Sequence, residues 1–172
     1  ELDLRQFRHW YSQAGTPEVS ASWTQTNGQL VLTLKQNCRP TPGQAIKPAF
    51  HIPVKLGFVE KASGRDVPLQ LESNTNALHG DVLDFTESTQ TFVFTGLDKP
   101  GGPSLLRSFS APVILQSAHT TDDLIFLAGH DNDPFNRWDA CQKIYGEAIL
   151  DIYLQRGLTD GANTQAAVQI VE

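Results

Sequence analysis

Two adjacent residues, Asn27-Gly28, constrain this chain more than any others. Both tolerate the positive φ that a two-residue type I′ turn demands, and they lie between two stretches of alternating polar and apolar residues. A two-residue loop pairs Thr26 with Gln29, Trp23 with Leu32, Ala21 with Leu34 and Val19 with Gln36. In that register every apolar side chain except Val31 falls on one face. Ser20, Ser22, Thr24, Thr33 and Lys35 fall on the other. A slip by one residue would invert both faces, so the pattern itself selects the register. One dry face and one wet face is what half of a sandwich requires.

The same arithmetic extends along the chain. Ile52, Val54, Leu56 and Phe58 alternate within 50–60, and Lys61-Ala-Ser-Gly64 turns the chain back into 65–71. Pairing Glu60 with Arg65 sets Phe58 against Val67, Leu56 against Leu69 and Val54 against Leu71. Pro53 and Pro68 point to the opposite side, where proline implies an edge or a bulge. Further strands are expected at 81–85, at 89–95 with Phe92 and Phe94 on one face, at 105–109 and at 111–117, where Pro112 marks another edge. Lys99-Pro-Gly-Gly-Pro103 reads as a turn. The spacing predicts a mainly β chain: an immunoglobulin-like antiparallel β-sandwich of about seven strands, followed by an α-helical segment.

Three stretches change period from two to between three and four. Residues 3–14 read as a short helix ended by Gly15, with Leu4, Phe7, Trp10 and Tyr11 on one face that needs a partner. Thr121-Asp-Asp starts a short helix over 121–130. A long helix runs from Asp133, a good N-cap, through Pro134 in the first turn to Gly157, suited to a left-handed C-terminal cap. Phe135, Trp138, Cys141, Ile144, Tyr145, Ala148, Ile149, Ile152 and Tyr153 repeat along it at helical steps. They fill a sector of roughly 180°, wider than the ~100° stripe of an ordinary surface helix. Leu150 and Leu154 fall on the far side. Such a helix wants neighbours on more than one face. The final stretch, 158–172, holds a polar turn and a short apolar run, Ala166–Val171, too brief to assign.

Charge and composition exclude several functions. A formal net charge of −6 argues against nucleic acid and anionic membranes as partners. No apolar run is long enough for a transmembrane helix, and no leader of the signal-peptide type is present. A chain that begins at Glu1 and contains no methionine reads as a piece excised from a longer protein. Two cysteines, Cys38 and Cys141, with no Asn-x-Ser/Thr acceptor, fit a cytoplasmic protein and leave the state of both thiols open.

Catalytic patterns are missing. The five histidines stand at 9, 51, 79, 119 and 130, and none has a second within three to five residues, so no H-E-x-x-H zinc helix exists. Gly101-Gly-Pro-Ser104 lacks the second glycine of a nucleophile elbow. His130-Asp-Asn-Asp133 resembles a scrap of a metal loop, but a polar turn with an N-cap explains it. Asp122-Asp123 sits at a helix start, where the dipole favours acids. Trp10, Trp23 and Trp138 read as core residues rather than a sugar-binding row. No catalytic, cofactor-binding or metal-binding residue is expected within the segment.

Several separate motifs carry a family resemblance. Trp10-Tyr-Ser-Gln13-Ala-Gly15-Thr-Pro17 is similar to the W-x-x-Q-x-G-x-P stretch that follows the catalytic domain in zinc aminopeptidases of the aminopeptidase N family. Arg39-Pro-Thr-Pro-Gly-Gln44, Phe50–Gly57, Thr91-Phe-Val-Phe94, Arg107-Ser-Phe-Ser-Ala-Pro-Val113 and Asp133-Pro-Phe-Asn-Arg-Trp-Asp-Ala140 resemble the bacterial branch, in the right order. The resemblance covers about residues 3–157. It implies a parent metallopeptidase that removes N-terminal residues from peptides by zinc-activated water, with the zinc, its ligands and the catalytic residues upstream of this segment.

By that resemblance, residues 1–17 are a helix and linker from the preceding catalytic domain, 18–117 the β-sandwich, and 118–172 the start of a C-terminal helical domain. The implied role is a structural linker that positions the catalytic domain against the helical one, inactive when alone. The implied interdomain contacts are Phe7, Trp10, Gln13, Phe135, Arg137, Trp138, Ile149, Leu150, Tyr153 and Leu154. Their implied partners are those two domains of the same chain, with a second copy on the exposed helix face as the other way of covering it. The alternative reading is a stand-alone ligand- or carbohydrate-binding β-sandwich module.

Overall fold

Asn27 and Gly28 take φ of 51° and 75° and close the hairpin between β1 (Glu18–Thr26) and β2 (Gln29–Asn37). The register is the one the alternation dictates, from Thr26 opposite Gln29 to Val19 opposite Gln36. The computed structural model describes residues 3–72 and 77–153. Among them are ten strands and three α-helices.

The chain divides into two compact units, one comprising Glu1–Leu56, Leu69–Asp98 and Phe109–Ala118, the other Gly57–Pro68, Lys99–Ser108 and His119–Glu172. The first unit holds a sheet of order β10-β1-β2-β8-β5, with β8 spanning Thr89–Thr95, β5 Gln70–Leu71 and β10 Ile114–Ser117. Its neighbours pair antiparallel except β1 and β10, which run parallel with Val19 opposite Leu115. The first half of β3 (Ile52–Glu60) pairs with β7 (Val82–Phe85), which pairs with β6 (Leu78–His79). Leu30, Leu32, Leu34, Phe92 and Phe94 from one sheet and Ile52, Val54, Leu83 and Phe85 from the other are all buried, which makes the core of an immunoglobulin-like sandwich. Gln36 is buried with them. Its amide donates to the Phe50 and Glu87 carbonyls and accepts from the Phe50 N–H, so the side chain replaces a missing stretch of ladder.

In the second unit the latter half of β3 pairs with β4 (Arg65–Asp66), and β9 (Gly101–Leu105) also pairs with β3. Gly57, Phe58 and Val59 are therefore buried on both strand faces. α2 (Thr121–His130) and α3 (Pro134–Tyr153) follow. Thr120 caps α2 by a reciprocal capping box with Asp123. Leu124, Ala128, Ala140 and Ile144 form the contact between the two helices.

Four local expectations give way. The expected helix over 3–14 reduces to α1 (His9–Ser12), where the N–H groups of His9, Trp10 and Tyr11 close tighter turns onto the Gln6, Phe7 and Arg8 carbonyls three residues back. The return strand 65–71 pairs with β3 at Glu60–Arg65, and the Val67 N–H still reaches the Phe58 carbonyl, but the chain then leaves. Pro68 has no N–H to continue the ladder, so Gln70 and Leu71 pair with β8 instead. Val54 faces Leu83 rather than Leu71.

The glycine-rich Lys99–Pro103 stretch is mostly strand rather than turn. A Cβ on Gly101 would lie 2.3 Å from the Phe58 ring and 2.6 Å from the Val59 carbonyl, so glycine is needed for close approach and not for turning. The expected strand over 105–109 is instead a tight turn, with Leu106, Ser108 and Phe109 all at positive φ. Gly157, Leu154 and the 158–172 tail lie outside the described residues.

Candidate functional site

Among the described residues of the second unit a dense polar arrangement surrounds Arg107, which is 8% exposed. Gly57 lets it in. A Cβ there would sit 2.1 Å from the guanidinium carbon, so a hydrogen is all the strand can carry where Arg107 crosses it. The guanidinium grips Asp66 on β4 with two parallel bonds, Nη1 to Oδ2 at 2.7 Å and Nη2 to Oδ1 at 2.8 Å. Nη2 also meets Asp131 Oδ1 at 2.9 Å, and Nε donates to Ser104 Oγ on β9 at 2.9 Å. Ser104 in turn donates to the second Asp131 oxygen.

Asp133 extends the network into the turn and the helix. One carboxylate oxygen accepts from the Ser108 N–H and hydroxyl at 2.9 and 3.0 Å. The other caps α3 by accepting the Asn136 N–H at 2.9 Å. Asn136 returns from α3 to donate to Ser104 Oγ and to the Leu105 carbonyl. Arg137 Nε donates to the Ala128 carbonyl, tying α3 to α2. Leu106, Ser108 and Phe109 hold sparsely populated positive-φ conformers, and these bonds hold the turn in place.

Burial opposes the charge on Arg107, but the carboxylates of Asp66, Asp131 and Asp133 outweigh it and raise its pKa. The same hydrogen bonds lower the pKa of Asp66. Burial pushes Asp123 up, yet the bonds from Lys61 and Thr120 bring it below its usual range. Burial lowers the pKa of His119, whose Nε2 meets the Pro103 carbonyl at 2.8 Å.

This arrangement braces the fold and offers no activated nucleophile. Ser104 is fully buried and its hydroxyl is saturated, donating to Asp131 while accepting from Arg107 and Asn136. A reacting Ser–Asp pair needs an accessible oxygen and a base with room to take a proton. Among the described residues no group of three or more His, Cys, Asp or Glu side chains is placed to hold a metal ion. Both Cys38 and Cys141 are free thiols.

In the first unit the residues before β1 are fastened by side chains reaching backbone. Trp10 packs on Phe50 at 4.6 Å between ring centres and donates Nε1–H to the His51 carbonyl. Phe7 meets His51 edge-on, and Gln13 donates to the Pro48 carbonyl. Gln6 donates to Ala49 and Thr86, and Gln44 exchanges bonds with Ala14 and Ser12. So the three N-terminal residues expected to face another domain all make contacts inside their own unit.

On α3 the expected residues divide. Phe135 is half-buried and tilted against Trp138. Arg137 is exposed apart from its bond to Ala128. Trp138, Ile149 and Leu150 are 56, 65 and 58% exposed, and Ile152 joins them at 58%. The side chain of Tyr153, like Leu154, lies outside the described residues. Sequence reasoning placed Asp133 as a cap and read 130–133 as a turn, and it gave no role to Asp66, Ser104 or Asp131. The available signal was that Arg107–Val113 and Asp133–Ala140, which supply five of the bonding residues, are two of the motifs that carry the family resemblance.

Comparison with known proteins bears on this arrangement. Residues 15–118 match the family described as a domain of unknown function, DUF3458, with an Ig-like fold. Residues 121–172 match its companion, DUF3458_C, described as ARM repeats. Over 150 residues the chain is 39% identical to aminopeptidase N of Haemophilus influenzae and 38% identical to that of Escherichia coli, covering 86% of this chain in each case. It spans only 17% of the length of either relative. The crystal structure of Legionella pneumophila aminopeptidase A in complex with aspartic acid has the same fold over 96% of this chain and 18% of its own, with a TM-score of 0.72 at 24% identity.

Proposed function

The chain belongs to the Ig-like DUF3458 family, and on that premise we propose that it is the non-catalytic linker of a cytoplasmic zinc aminopeptidase, standing between a catalytic domain and a helical one. The observation that carries this reading is the 39% identity to an aminopeptidase N that covers 86% of this chain and only 17% of the relative. In this reading residues 1–17 lead from the catalytic domain, 18–117 are the sandwich and 118–172 open the helical domain. Peptides are the parent's substrates, and zinc belongs to its catalytic domain.

Trp138, Ile149 and Leu150 present apolar surface that suits contact with the rest of the helical domain. Phe7, Trp10 and Gln13 serve less directly, by fixing the segment through which the catalytic domain connects. The Arg107 network suits a spacer, since its hydrogen bonds tie the turn after β9 to β4 and to the start of α3. The test is release of an aminoacyl anilide by the parent protein and by the purified 172-residue chain, each with and without zinc. Activity is expected from the parent alone, and turnover by the isolated chain overturns the reading.

A further inference from the structure

The turn that sets the register of the first sheet is also a chemically reactive pair. Of the asparagines in the chain, Asn27 alone precedes a glycine. Glycine has no side chain to shield its nitrogen, so Gly28 N can close on the Asn27 side-chain carbonyl as a cyclic imide. Turn geometry keeps glycine at the second position. Asn27 at φ 51° and Gly28 at φ 75° supply the two left-handed residues that the loop requires, and a Cβ on Gly28 would lie 2.5 Å from Asp98 Oδ1. The Gly28 carbonyl accepts the Leu97 N–H at 2.9 Å, and Gln25 Nε2 donates to the Leu97 carbonyl at 2.8 Å. Those bonds and the β1–β2 ladder hold Asn27 in its turn conformation, whereas ring closure swings the Gly28 nitrogen onto Cγ. The reaction therefore runs from a locally opened hairpin.

We propose that Asn27 is a site of spontaneous covalent modification, deamidating through a cyclic imide with Gly28 to an isoaspartate that unfastens the β1–β2 hairpin. Hydroxide removes the Gly28 amide proton, the nitrogen bonds to Asn27 Cγ, and ammonia leaves from that carbon. Water then opens the imide. Breaking the bond from nitrogen to Cγ gives aspartate. Breaking the bond from nitrogen to the main-chain carbonyl carbon gives isoaspartate, whose main chain runs through Cβ and Cγ. The net change exchanges an amide nitrogen for a water oxygen and consumes no other reagent. Aspartate suits the same turn. Isoaspartate adds a main-chain atom to a loop whose ends, Thr26 and Gln29, are directly paired. β2 lies between β1 and β8, so the strands cannot relieve the longer loop by slipping without turning a buried face outward. The chemistry belongs to this chain's own residues and is independent of the peptidase reading.

The 172-residue chain is incubated at mildly alkaline pH in isotope-labelled water, then digested with trypsin in ordinary water and mapped by mass spectrometry. Asn27 is the one asparagine of tryptic peptide 9–35, which separates it from Asp160-Gly161, a pair that isomerises by the same route. Labelled oxygen is expected at Asn27 before Asn37, Asn132 or Asn136, with isoaspartate among the products. Conversion in the native chain is expected to be slower than in the urea-unfolded chain by about tenfold or more, as for a site that reacts only when open. The isolated isoaspartate form is expected to unfold at lower urea than Asn27→Asp, which carries the same charge without the extra main-chain atom. Asn27→Gly keeps a turn-compatible pair but has no amide to lose, so its urea midpoint should survive the incubation that lowers that of the unmodified chain. No label at Asn27 or equal rates in folded and unfolded chains overturns the proposal. So does an isoaspartate form as stable as Asn27→Asp, or an Asn27→Gly chain that weakens as fast as the unmodified one.

Discussion

Arg107 and Asp66 face each other through two parallel N–H···O bonds, of 2.7 and 2.8 Å, across a strand that only glycine at position 57 leaves open. The pair is the outer half of a network whose inner half, Asp131, has a side chain with no exposed surface. Asp66 remains one-third exposed, so the inner carboxylate has most to lose if the guanidinium is removed.

Arg107→Ala is expected to destabilise the chain by about 3–5 kcal/mol, the usual cost of stripping a partner from a buried charge. Arg107→Lys should recover little of it, because an ammonium cannot fork across Asp66 while also reaching Ser104 and Asp131. Urea unfolding midpoints of the variants check this. A loss under about 1 kcal/mol for Arg107→Ala would show that the network is ornamental.

Adjacent glycines in β9 should behave differently. Gly101→Ala drives a methyl into the Phe58 ring and the Val59 carbonyl, and overpacking of this kind costs about 1–3 kcal/mol. Gly102→Ala meets nothing within 4 Å and should change thermal stability very little. Comparable melting temperatures for the two variants would contradict the close approach of β9 to β3.

Gln36→Leu conserves size but leaves the Phe50 N–H and the Phe50 and Glu87 carbonyls without their partner. Because unsatisfied buried groups cost about 1–3 kcal/mol each, a loss of at least about 2 kcal/mol is expected by chemical denaturation. Hydrogen exchange at the Phe50 amide should rise with it.

Acid should weaken the protein in two steps. His119 has a folded pKa below its ordinary value of 6.5, so its neutral form stabilises the fold above that value. The contribution is lost as pH falls below 6.5 and through the folded pKa, because the unfolded chain takes up the proton first. Asp66 and Asp123 likewise have folded pKa values below 3.8, and their contribution disappears as pH falls below that value and through their folded pKa values. His119→Gln keeps a donor for the Pro103 carbonyl and should abolish the first step while leaving the second. Unchanged stability between pH 7 and 5 in the parent sequence would contradict the burial of His119.

Much of this fold can be read from local rules. Asn27-Gly28 with its alternating flanks specifies a register that the structure reproduces pair by pair, because a one-residue slip would expose an entire apolar face. Thr121-Asp-Asp and Asp133-Pro134 mark helix starts within a residue, since capping depends only on near neighbours. Where local rules fail, a distant partner is responsible. Gly101-Gly-Pro looks like a turn until Phe58 is known to lie against it. Residues 69–71 appear to continue a hairpin until β8 supplies the ladder that Pro68 cannot extend with β3.

The sequence by itself therefore determined the β1–β2 register, the starts of α2 and α3, the apolar faces of the long strands and the family to which the chain belongs, all of which follow from periodicity, turn chemistry and ordered motifs. Only the tertiary structure decided that Asp66, Ser104, Arg107, Asp131 and Asp133 form one network, buried except at Asp66, and that α2 packs on α3 through Leu124, Ala128, Ala140 and Ile144. Those five residues come from three separated stretches of chain, and nothing in the spacing of charges along a chain says which of them will meet in a low-dielectric interior, where pairing is what makes their burial tolerable.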